Sequence, residues 1–259
     1  MTAAASLTSA PLAGRVALVT GLSRPAGIAM AVARRLHELG AVVHATGWPP
    51  HDASMAWGAA DVGDLPFPVA RHDLEDPEAP ARVVDEVVGA RGRLDIVAAV
   101  HARSSEAGFD DVDAAELDRC WAANVRSIVL LAQRFAAVHD PAPADGPPTG
   151  RMLWCTSGQH RAPMDLEIAY AVSKGALHQM TLSVDRALSR SGIVANCINP
   201  GPVDTGWAAP EIHEAVAERF PDGRWTSPAQ IADLVGFLVS DAGAVIRGQV
   251  IDAESGFRR

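Results

Sequence analysis

The sequence predicts an α/β protein: one doubly wound parallel sheet of about seven strands with helices on both faces. Three observations predict it. Short apolar runs alternate with longer stretches of helical period almost to the end of the 259 residues. The runs are apolar on both faces, as strands covered from both sides require. Helices between such strands act as right-handed crossovers, which lay them on both sides of a single sheet.

In chain order, strands are predicted at Arg15–Thr20, Ala41–Thr46, Pro68–His72, Leu94–Val100, Arg151–Thr156, Ile193–Asn199 and Gln249–Ala253. Helices are predicted at Ile28–Leu39, Pro77–Gly89, Ala114–Val138, Ala169–Leu188 and Pro228–Ser240, where apolar positions recur with helical period. Residues 1–11 are small and polar and read as a loose tail, so the expected single domain runs from 12 to 259. Two stretches break the rhythm. Residues 47–66 are rich in Pro, Gly and Asp, which makes a regular helix doubtful. Residues 140–150 (DPAPADGPPTG) read as a proline-rich surface spacer.

Composition narrows the class. With 48% hydrophobic and 20% charged residues, the chain can bury a sizeable core. Its formal net charge of −9 argues against nucleic-acid and membrane-surface partners. There is no run of about 18 apolar residues and no charged-then-apolar leader. Cys120, Cys155 and Cys197 are odd in number and embedded in apolar runs, the pattern of buried thiols in a reducing compartment. A cytoplasmic protein without a metal site is expected.

The chain has one tyrosine and one lysine, Tyr170 and Lys174, four positions apart on a predicted helix. Residues at that spacing share a face. Arginine serves everywhere else, so this lysine is expected to do what a guanidinium cannot: act as a compact charge of tunable pKa. A phenol titrates near ~10, and a fixed cation beside it favours the phenolate. Moving it ~3 units toward neutrality takes roughly 4 kcal/mol and gives an acid/base pair usable near pH 7. The plain alternative is an amphipathic helix with a surface lysine and a half-buried tyrosine.

A second feature follows the first strand. Residues 20–29 (TGLSRPAGIA) run from a strand end into a helix. Gly21 and Gly27 allow a tight turn and close approach of a pyrophosphate to the helix N-terminus, with Ser23, Arg24 and Ile28 beside them. An ordinary strand-to-helix turn with two glycines reads the same way.

On these residues the chain resembles the short-chain dehydrogenase/reductase family, whose members carry a Thr-Gly turn after the first strand of a Rossmann fold. Here the turn is two residues longer than Thr-Gly-x-x-x-Gly-x-Gly and ends in Ala29. The resemblance covers nearly the whole chain. Through residues 226–232 and 248–252 it looks most like the 3-oxoacyl-[acyl-carrier-protein] reductase branch. It implies an NAD(P)-dependent oxidoreductase moving a hydride between nicotinamide and a carbonyl or secondary alcohol.

The family's catalytic set maps onto Asn124, Ser157, Tyr170 and Lys174. By resemblance, Tyr170 gives or takes the proton on the substrate oxygen and Ser157 hydrogen-bonds that oxygen. Lys174 tunes the phenol and holds the nicotinamide ribose, and Asn124 anchors a water behind the lysine. Further cofactor contacts are implied at Asp73 and Leu74, at His101, and at Pro200, Gly201, Val203 and Thr205. Where the family reads Asn-Asn-Ala-Gly, this chain reads Ala99-Val100-His101-Ala102. The second strand ends in Gly47-Trp48 with no nearby acid, and Arg24 could meet a 2′-phosphate. NADP(H) is therefore favoured, with NAD(H) as the alternative.

Residues 202–224, with Trp207, Ile212, Val216 and Phe220, suit an amphipathic lid over a small-molecule carbonyl or alcohol substrate. Gln159, His160, Arg161 and Met164 are expected to line the same cleft, His160 and Arg161 facing an anionic or thioester-carrying substrate. The substrate expected is a 3-oxoacyl thioester, or alternatively a sugar, steroid or other small ketone. A homotetramer, or a homodimer, is expected by analogy. The rivals are a non-catalytic, NAD(P)-binding regulator on the same fold and another chemistry such as dehalogenation or enoyl reduction. Dehalogenating relatives discard the cofactor turn and the lysine, which this chain keeps.

Overall fold

A computed structural model describes residues 10–141 and 146–259. Residues 1–9 of the expected tail and 142–145 of the expected spacer lie outside the described residues. Seven strands form the sheet: β1 (Val16–Thr20), β2 (Val42–Gly47), β3 (Val69–Arg71), β4 (Ile96–Ala99), β5 (Gly150–Cys155), β6 (Ile193–Asn199) and β7 (Val250–Asp252). Every pairing is parallel, in the order β3-β2-β1-β4-β5-β6-β7. The order reverses between β1 and β4. A switch of this kind opens a crevice at the carboxyl ends of the strands.

The helices are α1 (Ile28–Glu38), α2 (Pro49–Ala53), α3 (Ala79–Arg91), α4 (Ala114–Cys120), α5 (Ser127–Val138), α6 (Ile168–Leu188), α7 (Pro210–Ala217) and α8 (Pro228–Val239). Successive strand residues point to opposite faces, so each strand feeds two cores. Ala17, Val19, Ile96 and Ala98 meet Val32 and Leu36 of α1 and Ile231 and Val235 of α8. Val16, Leu18, Val97 and Ala99 meet Val83 of α3, Leu131 and Phe135 of α5 and Leu177 of α6. Burying a side chain such as Leu131 or Phe135 contributes about 1.5–3 kcal/mol. Among the described residues, no helix is long and apolar enough to cross a membrane.

Element ends differ from the expected ones by a residue or two, and three features differ more. The single helix expected over 114–138 contains a π turn, Trp121–Arg126, between α4 and α5. There the Ser127 N–H donates to Ala122 O, five residues back. A short helix, α2, forms where none was expected. Its prolines occupy the first turn, where a missing N–H removes no helical bond. Within the expected lid, α7 buries none of its residues, while Phe220 just beyond it is buried.

Candidate active site

A cleft of about 910 Å³ runs along the carboxyl ends of the strands, within the ~300–1,000 Å³ range of small-molecule sites. Its floor begins at the turn after β1. Gly21 has φ 89°, and a Cβ there would lie 2.6 Å from His101 Cα, so the turn packs directly on the chain leaving β4. At Gly47 a Cβ would overlap Leu22 O, which brings the end of β2 equally close.

Ser23, Gly27 and Ile28 lie on the cleft wall. Helix α1 starts at Gly27 with no side-chain cap and no acid in its first turn. Its leading N–H groups and positive dipole end therefore lack a side-chain partner. That arrangement fits the pyrophosphate of a dinucleotide. Asp73, Leu74, His101, Pro200, Gly201, Val203 and Thr205 line the same cleft.

Arg24 crosses this end of the cleft. It pairs with Asp52 at 3.2 Å, donates to Thr205 O at 3.1 Å and lies 5.2 Å from the Trp57 ring centroid. Asp52 also accepts from Trp57 Nε1 at 2.8 Å and is 6% exposed. The expectation that no acid stands near the end of β2 is thus corrected. Helix α2 folds back and returns Asp52 to the cleft five residues past the strand. Its neighbour His51 accepts from the Ser104 N–H at 3.2 Å through Nε2. The one sequence signal was the Pro-Pro start ahead of His51-Asp52.

His101 is held from both ring nitrogens. Nδ1 meets Thr20 Oγ1 at 2.5 Å, while Nε2 lies 3.0 Å from Ala123 O and 2.9 Å from Ser127 Oγ. A carbonyl can only accept, so the proton sits on Nε2 and Thr20 donates to Nδ1. Burial, then the Lys174 charge, pushes the imidazole down to about 3. A neutral histidine thus joins β1, β4 and the π turn.

Ser157 follows β5 and Tyr170 sits in the first turn of α6; both face the cleft. Burial pushes the half-buried Tyr170 phenol up to about 12, against the pull of the Ser157 hydroxyl and with help from the Glu167 charge. The expected downward pull of Lys174 does not prevail. Its Nζ lies 5.5 Å from the Tyr170 ring centroid and donates to Cys155 O at 2.8 Å. Lys174 is 1% exposed, and burial lowers its own pKa. It stands behind the tyrosine, not on the cleft wall.

Asn124 lies deeper still, in the π turn, and is fully buried. Its Oδ1 accepts from the Arg103 N–H at 2.6 Å, and Nδ2 donates to Arg103 O at 3.0 Å and Ser173 Oγ at 2.9 Å. Both amide hydrogens are engaged. The side chain therefore splices the segment after β4 to α6, and is not turned toward a water relay.

Met164 and Trp207 line the cleft as expected. Gln159 and His160 do not, because the 3₁₀ turn at Gly158–His160 turns them away. Gln159 accepts from the Ser157 N–H at 3.2 Å and donates to Thr156 Oγ1 at 3.1 Å. His160 pairs with Asp252 at 3.0 Å and lies against the His178 ring, while Arg161 reaches Asp252 at 3.5 Å. The arginines that do reach the cleft beyond Arg24 are Arg103, Arg219 and Arg259. No local sequence signal marked them.

Comparison with known proteins agrees with this architecture. A family model described as enoyl-(acyl carrier protein) reductase matches residues 21–258. An uncharacterized oxidoreductase of Bacillus subtilis, YjdA, is 32% identical over 95% of this chain and 97% of its own length. The NADPH-dependent aldehyde reductase 2 of Arabidopsis thaliana chloroplasts is 32% identical over 99% of both chains. Among solved structures, a short-chain dehydrogenase from Burkholderia cenocepacia in complex with NADP superposes with TM-score 0.80 at 30% identity. That match covers 95% of this chain and 98% of the other. The chain is an NAD(P)-dependent oxidoreductase that belongs to the short-chain dehydrogenase/reductase family.

Proposed function

We propose that the protein is an NADP(H)-preferring carbonyl reductase of small molecules, with Tyr170 as its proton donor and a 3-oxoacyl thioester among its substrates. One observation carries the reading: Ser157 and a phenol held protonated share a cleft with the uncapped N-terminus of α1. The turn residues Ser23, Gly27 and Ile28 would hold the pyrophosphate, and Thr205 the nicotinamide end. The bound nicotinamide supplies the hydride that reaches the carbonyl carbon.

Everything else falls to the chain's own groups. Tyr170 Oη donates its proton to the carbonyl oxygen as negative charge develops there, leaving a phenolate. The Ser157 hydroxyl donates a hydrogen bond to the same oxygen, stabilising it where charge appears. The Lys174 ammonium, buried behind the ring, favours the phenolate once it forms. His101 and Asn124 keep the walls in register through their bonds to Thr20, Ser127, Arg103 and Ser173.

Preference for NADP(H) is supported by Arg24 on the cleft wall and by the NADP complex and NADPH-dependent relative named above. Trp207 on the cleft supports residues 202–224 as a lid within a single domain spanning 12–259. Exposed Leu117, Trp121 and Val172 on α4, the π turn and α6 support a homotetramer, which sedimentation tests.

The deciding measurement is initial rates with NADPH and NADH against acetoacetyl thioesters and a ketone panel, for wild type and Tyr170→Phe. Turnover that prefers NADPH and is lost in the folded variant is expected. A folded Tyr170→Phe protein that kept its rate would sink the assignment. NADPH binding without any turnover would favour the non-catalytic regulator.

A further inference from the structure

We propose that Arg219 and Arg259 form an anion-reading pair at the substrate end of the cleft, selecting carbonyl substrates that also carry a carboxylate or phosphate. The inference deepens the reductase reading and rests on it. Four arginines line the cleft: Arg24, Arg103, Arg219 and Arg259. Three are matched by acids. Arg24 pairs with Asp52, Arg103 with Glu75 and Glu116, and Arg259 with Glu254. Arg219 makes no ion pair among the described residues. Its Nε donates to Arg258 O at 2.8 Å.

Arg219 and Arg259 share one ring. Their guanidinium carbons lie 5.0 and 5.5 Å from the centroid of Phe257, which packs 5.0 Å from Phe220. Arg259 also reaches the reacting end: a Cβ at Gly158 would overlap its Cζ and Nη2. Gly158 directly follows Ser157, so this guanidinium stands beside the serine assigned to the substrate oxygen. Glu254, which holds Arg259, is 6% exposed and is fixed by Asn199 Nδ2 at 2.7 Å. Glu254 is also reached by Arg161 Nε at 3.9 Å, so this acid is shared and Arg219 is left without an ion pair among the described residues.

The rest of the cleft has the opposite sign. Glu106 and Glu167 line it from the segments after β4 and β5. An anionic group on the substrate is attracted by Arg219, which has no ion pair among the described residues, and repelled by Glu106 and Glu167. His160 and Arg161, expected from sequence to read such a charge, lie off this wall against Asp252.

The test compares kcat/KM with NADPH within two matched pairs: acetoacetate against methyl acetoacetate, and acetoacetyl-coenzyme A against acetoacetyl-N-acetylcysteamine. A preference in the first pair identifies a carboxylate as the anion, and a preference in the second a phosphate. Wild type should favour an anionic member by about tenfold, the ratio that ~1.4 kcal/mol of differential binding gives. In Arg219→Ala the ratio should fall to within about twofold, and Arg219→Lys should recover part of it. Arg259→Ala should act in the same direction. Because Arg259 is packed against Glu254, the exposed Arg219 variants decide the matter if that protein does not fold. A ratio near one in wild type, or an undiminished ratio in Arg219→Ala, overturns the proposal. If no substrate turns over, the reductase reading fails, and calorimetric binding of acetoacetate and its methyl ester still reads the arginines. Tighter binding of the acid that Arg219→Ala abolishes supports the pair; equal binding overturns it.

Discussion

Lowering the pH from 7 to 5 should cost the fold about 2 kcal/mol through His101 alone. The imidazole titrates at about 3 in the folded protein and near ~6.5 in the unfolded chain. Its folded pKa is depressed, so the unfolded chain binds a proton that the native state refuses throughout that window. The stabilisation is fully present above about pH 6.5 and is lost progressively as pH falls toward about 3. At pH 5 the gap is ~1.5 units, and ~1.36 kcal/mol per unit gives about 2 kcal/mol. The geometry explains the refusal. A second ring proton on Nδ1 would face Thr20 Oγ1 at 2.5 Å, forcing that hydroxyl to give up the bond it donates.

Urea unfolding at pH 7 and pH 5, for wild type and His101→Gln, isolates the effect. His44 and His51 are also lowered by burial, but they contribute equally to both proteins and cancel. Wild type should lose about 2 kcal/mol more than the variant. Equal losses would refute the neutral, doubly held His101.

Four further outcomes follow from the site. Tyr170→Phe should cost about 10²- to 10⁴-fold in reduction rate, with the melting temperature nearly unchanged. Because the phenol is pushed up to about 12, it stays protonated through neutral pH. The reduction rate should then be flat from about pH 6 to 9, and a fall centred near neutrality would refute the assigned acid. Lys174→Arg should lose most activity and about 1–3 kcal/mol of stability, since a larger side chain must enter a site 1% exposed; near-normal rates would make the lone lysine incidental. Arg24→Ala should lower kcat/KM for NADPH about tenfold more than for NADH. Equal losses would leave Arg24 as a structural partner of Asp52.

Local pattern made much of this protein legible. Mainly apolar runs such as residues 193–199 became β6 with matching bounds, because a strand covered on both faces is largely apolar and its two polar residues, Asn196 and Asn199, are buried on hydrogen-bond partners. The turn at residues 20–29 was readable because only glycine tolerates the close approach found at Gly21. Helix α2 was not readable, since its five residues are held by packing over the cleft and not by propensity. Gln159 and His160 were misplaced for a related reason. One 3₁₀ turn decides which way a side chain leaves β5, and nothing in the residue types announces it.

The sequence by itself determined the element order, the parallel sheet, and the spacing that carries Ser157, Tyr170 and Lys174 to one end of it. Those follow from hydrophobic period and chain direction, which are local properties. Only the tertiary structure decided how charges pair across the cleft. Arg24 meets Asp52, Arg103 meets Glu116, and Arg219 is brought beside Arg259 with no acid of its own among the described residues. It also decided the sign of the shift on Tyr170, because desolvation of the phenol outweighs a lysine whose ammonium is turned to the carbonyl of Cys155. Both depend on distances between segments far apart in the chain, and those distances exist only once the strands have taken their order in the sheet.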